Sequence, residues 1–393
     1  MGGLELFFFY LFAAASPLSI ASINAAQGGL TLFFLWRLVK RRWKPTAPEW
    51  ILLAYVAWNL VSAFFSPMQA VAFRGVLNHW SWSALFVASS LPASIRAKAD
   101  RFTWFLALSG CLTVPLSLAE FFLGTDPNRD AFFKHVPVGT IQAYGFFSHP
   151  LTSAGGMTTG ALFLAARALY GPAGRRGWWR AASAACGIAV LLSLARTYLV
   201  ALVPGSSVLL WRKGKLWVLA ALAAGGLLVV LVLGLGPPQL KGKITSLWDL
   251  EHASNAERIY LWASGLQMLK DRPVTGWGCS VYEEVSAAYK APYAEKVRYP
   301  NRPPGFKTTE HCHSLYLMLA IQSGLPGLAL FLTFAAACFV GLRRCGDPAL
   351  RYGAAAAFAA SSRAASSSGT AATPRSPRWC SSSWDWLWGK VRK

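Results

Sequence analysis

The chain has 393 residues, 54% of them hydrophobic and only 14% charged. Two or three soluble domains would fit that length, but the composition belongs to a polytopic membrane protein, in which crossings of about 20 residues take up most of the chain. With 38 Lys and Arg against 16 Asp and Glu the net charge is +22, and the excess sits in short loops beside apolar runs, so it reads as a positive-inside signal before it suggests nucleic acid; a large soluble catalytic domain is excluded.

Residues 6–36 carry no charge. As one helix they would run about 46 Å against a hydrocarbon core of about 30 Å, so a split near Asn24–Gly29 is expected. The basic cluster Arg37, Lys40, Arg41, Arg42 and Lys44 then lies inside, with the N-terminus. The next apolar runs, 50–65 and 80–92, flank a short loop with Arg74 and close at Arg96, Lys98 and Arg101. Runs 102–123 and 145–170 enclose an outside loop and return to Arg175, Arg176 and Arg180.

Between Arg180 and Arg212 lie 31 residues whose only charge is Arg196, with basic flanks at both ends. Two inside flanks require two short spans meeting outside at Arg196. Run 216–235 leads out to Gly236, Pro237 and Pro238, which makes 237–312 an outside loop. Within it, 255–270 has apolar positions at Ile259, Leu261, Trp262, Leu266 and Met268, the pattern of an amphipathic helix on a membrane surface. Turn-rich segments follow, then a span over 313–342 with a break at Gly324–Gly327, ending inside at Arg343 and Arg344. Beyond Ala360 the composition turns to Ser and Arg, which fits a polar cytoplasmic tail or a shifted reading frame that replaces one or two final spans. The expected organisation is therefore membrane helices over 1–236, an outside loop over 237–312, further membrane helices over 313–360 and an atypical tail over 361–393. The fold class is all-α, with about 10–12 transmembrane helices.

Many of the eighteen Trp, such as Trp43, Trp50, Trp178, Trp179, Trp211 and Trp217, flank apolar runs as headgroup anchors. The seven cysteines contain no C-x-x-C pair, and only Cys279 and Cys312 could meet, in the outside loop. Six dispersed histidines make a poor metal cage, so no metal is expected; one of His311 and His313 suits a catalytic base better. Arg196, at the outer end of two spans, either snorkels to headgroups or meets an anionic ligand. Arg258 reads as a helix surface charge or a site cation. Arg298, Arg302 and Lys307 read as solvated loop charges or as cations near His313. Glu120, alone within a span, would pair with another polar group or carry protons.

Four stretches give these positions a family context: FSHPLTSAGG (147–156), SLARTYLVAL (193–202), NAERIYLWASGLQMLKDRPVTGWG (255–278) and HSLYLMLAIQSGLPGL (313–328). In this order, with a long outside loop between the last two, the chain resembles the O-antigen ligase family, related to O-antigen polymerases and bacterial O-oligosaccharyltransferases. The resemblance implies an inverting, metal-independent glycosyltransferase without a cofactor, in the bacterial inner membrane. It would act at the periplasmic face as a monomer, moving a glycan from undecaprenyl diphosphate to a sugar hydroxyl of lipid A–core. It carries catalytic roles onto Arg196, Arg258 and His313. Arg74, Arg298, Arg302 and His311 are further candidates for binding diphosphate or substrate. A polymerase or a protein O-oligosaccharyltransferase is the same-class alternative. A transporter or flippase would need a polar path through the midplane, where Glu120 is nearly the only ionisable residue.

Overall fold

A computed structural model describes residues 2–79, 82–123, 143–147, 150–235, 238–245, 249–250, 253–294 and 311–368, and among these every regular element is helical. Four helices are long and apolar enough to cross a membrane on their own: α3 (Ala47–Phe64), α7 (Ala99–Leu123), α11 (Lys215–Leu235) and α15 (Leu315–Arg343). The others are shorter, as α1 (Gly2–Ala15), α9 (Arg176–Leu192) and α10 (Arg196–Trp211), or more polar, as α2 (Ile20–Val39), α8 (Pro150–Tyr170) and α16 (Pro348–Ser368). The protein is an all-α, multi-pass membrane protein.

Two boundaries differ from the sequence expectation. The first break lies at residues 16–19 rather than near Asn24–Gly29. Pro17 supplies no N–H to continue the ladder, and Ser19 caps α2 by accepting from the Ser22 N–H (3.3 Å). Gly29 is instead a packing point inside α2, where a Cβ would stand 2.6 Å from the Phe8 ring. The run 80–92 is likewise no full span. It contains α5 (Ser83–Ser90), eight residues and so about 12 Å long, which follows α4 (Gln69–Asn78) and precedes the single turn α6 (Ala93–Arg96). Its serines serve α2: Ser83 accepts from Gln27 Nε2 (2.9 Å) and Ser90 from Arg37 (3.4 Å).

The basic loops gather at one end of the bundle. Arg37, nearly buried at the end of α2, pairs with Glu5 at the start of α1. Arg167, at the end of α8, pairs with Asp100 at the start of α7 and with Asp347 (3.2 Å) just before α16. Arg212 donates to the Tyr352 hydroxyl of α16 (3.1 Å). α16 runs to Ser368, eight residues past the boundary that composition set at Ala360. Its small-residue face, with Ala349, Ala356 and Ala360 buried and Gly353 against Phe163, lies on α8 and α10. Alanine favours the helix and small faces let helices approach, so the loss of large apolar residues does not end it.

At the opposite end the chain leaves the bundle after α11 and forms α12 (Pro238–Thr245), α13 (Ala253–Asp271) and α14 (Tyr282–Ala294) before returning as α15. The apolar set expected on one face of α13 divides between two. Leu261, Ser264, Gly265 and Met268 are buried, with Gly265 against Leu317 and Ile321 of α15, while Ile259 and Leu266 are exposed.

α15 breaks at Gly324 (φ 69°, ψ −178°), two residues before Pro326, within the interval read from the sequence. That break strips helical partners from the carbonyls just ahead of it, and a polar group left unpaired in apolar surroundings costs about 2–7 kcal/mol. Residues 272–278 make up the loss. Trp277 N–H donates to the Ile321 carbonyl (2.8 Å) and Gly278 N–H to that of Gln322 (2.8 Å), while Leu325 N–H donates back to Pro273 (2.8 Å). From α3, the Trp58 indole reaches the Ser323 carbonyl (2.7 Å), Ser62 serves both Gln322 (2.7 Å) and Thr275 (2.5 Å), and Ser66 reaches Trp277 (2.6 Å). The fit is close: a Cβ on Gly324 would collide with the Val274 carbonyl, and one on Gly276 (φ 67°) would lie 2.6 Å from Gln322. Gly324→Ala is therefore expected to lower the thermal unfolding temperature of the purified protein by several degrees, while Gly341→Ala, with open space around it, leaves it unchanged. Equal unfolding temperatures for the two variants would contradict this account of the kink.

Candidate functional site

Arg196 owes its place to the turn between α9 and α10. Ser193 closes α9 by donating to the Val190 carbonyl (2.6 Å) and accepts from the Ala195 N–H (3.2 Å); Leu194 between them takes φ 50°. The Leu192 carbonyl receives the Ala143 N–H (3.1 Å), which seats residues 143–147 beside the turn. Arg196 is then the first residue of α10, where the two short spans were expected to meet. Tyr198, two residues on, is buried with its hydroxyl against Gly155 of α8, where a Cβ would lie 2.8 Å away.

Arg258 lies in the first half of α13, half-buried, and its guanidinium is held below its usual pKa by burial and by the positive charge of Arg196, with Glu257 opposing. Two arginines from sequence-distant segments thus stand within Coulombic reach of each other. Such a like-charged pair is a ready receptor for an anion with two charged groups.

The two histidines come together just before α15. Their ring centroids are 4.5 Å apart with planes at 58°. His313 takes φ 54°, a left-handed conformation that costs an L-residue roughly 1 kcal/mol or more, and Ser314 follows as the helix cap, accepting from the Leu317 N–H (3.4 Å). Between the rings the chain buries Cys312 completely, and burial pushes its thiol up to about 11. The pairing of Cys312 with Cys279 that the sequence allowed does not occur. Cys279 donates to Asn59 Oδ1 (3.2 Å), Cys312 to the Ser314 carbonyl (3.3 Å), and the two belong to separate apolar clusters.

Sequence reasoning missed Lys290. It is 2% exposed and extends its ammonium over the Tyr282 ring, 4.8 Å from the centroid. Burial lowers its pKa to about 8, against the opposing influence of Cys312, Glu283 and Glu257. The available signal was the four-residue spacing of Tyr282, Ser286 and Lys290, all buried on one stripe of α14. α14 is fastened to the end of α13 by Tyr289, whose hydroxyl meets Asp271, and by Trp277, whose indole donates to the Met268 carbonyl (2.9 Å).

The other candidates are distributed differently. Arg74 is on the exposed side of α4, whose buried side meets Cys279 and Ser280 through Gly75. Arg298, Arg302 and Lys307 lie outside the described residues. Glu120, fully buried in α7, accepts from the backbone N–H groups of Tyr144 (2.9 Å) and Gly145 (2.8 Å), so it pairs with a polar partner. Among the described residues no group of three or more His, Cys, Asp or Glu side chains could hold a metal ion.

A bundle of membrane helices thus carries, at the end away from its ion-paired basic loops, a cationic site built from α10, α13 and α14 beside two touching imidazoles. Residues 181–332, which contain Arg196, Arg258, Lys290, His311 and His313, match the family model described as O-antigen ligase. Over this stretch the chain is similar to the O-antigen ligase family. A search of curated proteins finds no match.

Lys290 makes stability depend on pH in a defined sense. The unfolded chain takes up this proton near 10.5 and the folded protein only near 8, so on account of Lys290 stability rises with pH between those values and is flat below them. Wild type should gain thermal stability from pH 8 to pH 10 relative to Lys290→Met; parallel curves would show that the lysine is not desolvated.

Proposed function

We propose that the protein is an O-antigen ligase: an inverting glycosyltransferase that moves a glycan from undecaprenyl diphosphate to a sugar hydroxyl of lipid A–core. In this reading it resides in the bacterial inner membrane with its site at the periplasmic face, residues 237–312 forming the periplasmic loop between membrane helices over 1–236 and those from 313 onward. The observation that carries the reading is that the charge of Arg196 acts on Arg258 within the family-matched segment. The acceptor oxygen attacks the anomeric carbon, the bond to the diphosphate oxygen breaks, and negative charge develops on the departing lipid diphosphate. Two guanidinium groups supply fixed, bidentate donors where that charge appears. His313 takes the proton from the acceptor hydroxyl. Its left-handed backbone, one residue before the Ser314 cap, sets the direction of the ring, and His311 is its immediate neighbour.

Transfer of glycan from the lipid-linked donor to lipid A–core by purified protein, in excess EDTA, tests this directly. Activity should persist in EDTA, and Arg196→Lys and Arg258→Lys should each reduce it by about 30- to 1,000-fold, because a point charge does not reproduce a planar two-pronged donor. Loss in EDTA that Mg²⁺ restores, full activity in either Lys variant, or a product extended on the glycan or formed on protein would overturn the assignment.

His313→Ala should lose about 10²–10⁴ in transfer rate while still binding the donor, and His311→Ala should keep most activity. The wild-type rate should rise with pH across the range in which imidazole titrates, since a base works only when neutral. A rate that falls over that range would instead make His313 a cationic phosphate ligand.

A further inference from the structure

Glu257 sits beside Arg258 in sequence and opposes the depression of its pKa. For a site that must receive an anionic lipid, such a carboxylate is an internal competitor, already at hand and at high effective concentration. Three features surround it. Lys290 is 2% exposed on the buried stripe of α14, the helix packed on α13. Its stem runs back along α14 over the Tyr282 ring, whose face favours a cation, with Nζ 4.8 Å from the centroid. The charged and titratable groups that act on it are, in falling order, the Cys312 thiol from the histidine turn, Glu283 on its own helix and Glu257 from α13; Tyr260 of α13 stands near Tyr282. A buried ammonium is costly without anionic company, and Glu257 is the carboxylate that α13 offers it.

We infer that Lys290 is a positioning residue which engages the Glu257 carboxylate and so keeps it from neutralising Arg258, leaving that arginine's charge for the donor diphosphate. The inference rests on the ligase reading. It also accounts for a buried lysine in a site already crowded with positive charge: the lysine adds no third donor to the ligand but removes a rival acceptor. Below its own pKa the ammonium is charged and the restraint holds; above about 8 it is lost, and the carboxylate becomes free to compete.

The test is binding of undecaprenyl diphosphate to the full-length protein in nanodiscs, with donor KM and kcat measured in parallel. Lys290→Met should weaken binding by about 10- to 100-fold and raise KM with little change in kcat, and Lys290→Arg should restore most of the loss. Adding Glu257→Gln to Lys290→Met should bring affinity back to within about threefold of wild type, a rescue that a merely structural lysine would not allow. Glu257→Gln alone should tighten binding by roughly two- to fivefold, and this arm decides the matter even if Lys290→Met folds poorly. Wild-type affinity in Lys290→Met, no rescue in the double variant, or unchanged or weaker binding in Glu257→Gln would each overturn the inference and leave the ligase reading standing. Wild-type protein that does not bind undecaprenyl diphosphate would bring down both together.

Discussion

Backbone polar groups without partners are intolerable in apolar surroundings, and α15 creates a set of them at Gly324. Most of the extramembrane architecture is the answer to that demand. Residues 272–278 supply donors and an acceptor to the kink, Trp58 and Ser62 of α3 supply two more donors, and the loop is thereby clamped between α3 and α15. Because α13 leads directly into that loop and α14 leaves it, the same hydrogen bonds fix both helices on the bundle. The placement of Arg258 and Lys290 therefore depends on carbonyl groups of residues 321–323 that belong to neither helix.

The two ends of the bundle treat arginine in opposite ways. At one end Arg37 and Arg167 are nearly buried and matched to carboxylates, Arg37 to Glu5 and Arg167 to both Asp100 and Asp347. These pairs tie helix ends together; breaking one by removing a single partner would leave a buried charge uncompensated, which is worse than having neither. At the other end Arg258 is depressed by burial and by Arg196, and Lys290 by burial. The four sequence stretches that carry the family resemblance pair accordingly in space: Gly155 of the first receives Tyr198 of the second, and residues 272–278 of the third are bonded to 321–325 of the fourth.

What the sequence disclosed followed from charge and from chain breakers. Basic flanks on both sides of 181–211 demanded two short spans with Arg196 at their meeting point, and Gly324 with Pro326 announced a broken helix. The errors came where side chains, not periodicity, decide. The split was expected near Asn24–Gly29, yet Gly29 packs against Phe8, and Pro17 makes the break. Ser83 and Ser90 hid inside an apolar run whose helix is too short to cross. The only sign that Lys290 would be buried was its four-residue spacing from Ser286 and Tyr282, and a charged side chain on such a stripe reads as exposed until Tyr282 and the packing of α13 are known. The arginine and histidine candidates were legible as residue types; that Arg196 lies within Coulombic reach of Arg258 and that His311 touches His313 were not, since the turns before α10 and α15 set both.

The bond from Arg167 to Asp347 joins residues 180 positions apart, whereas Asp100 is on the helix before it. During synthesis, then, Arg167 enters the bilayer with its first counter-ion already emerged and waits for its second until α15 has been made. The groove that α8 and α10 present to α16 stays open for the same interval. A chain cut short before Asp347 therefore keeps Asp100 as the counter-ion of Arg167 but lacks the second carboxylate at the end of α8.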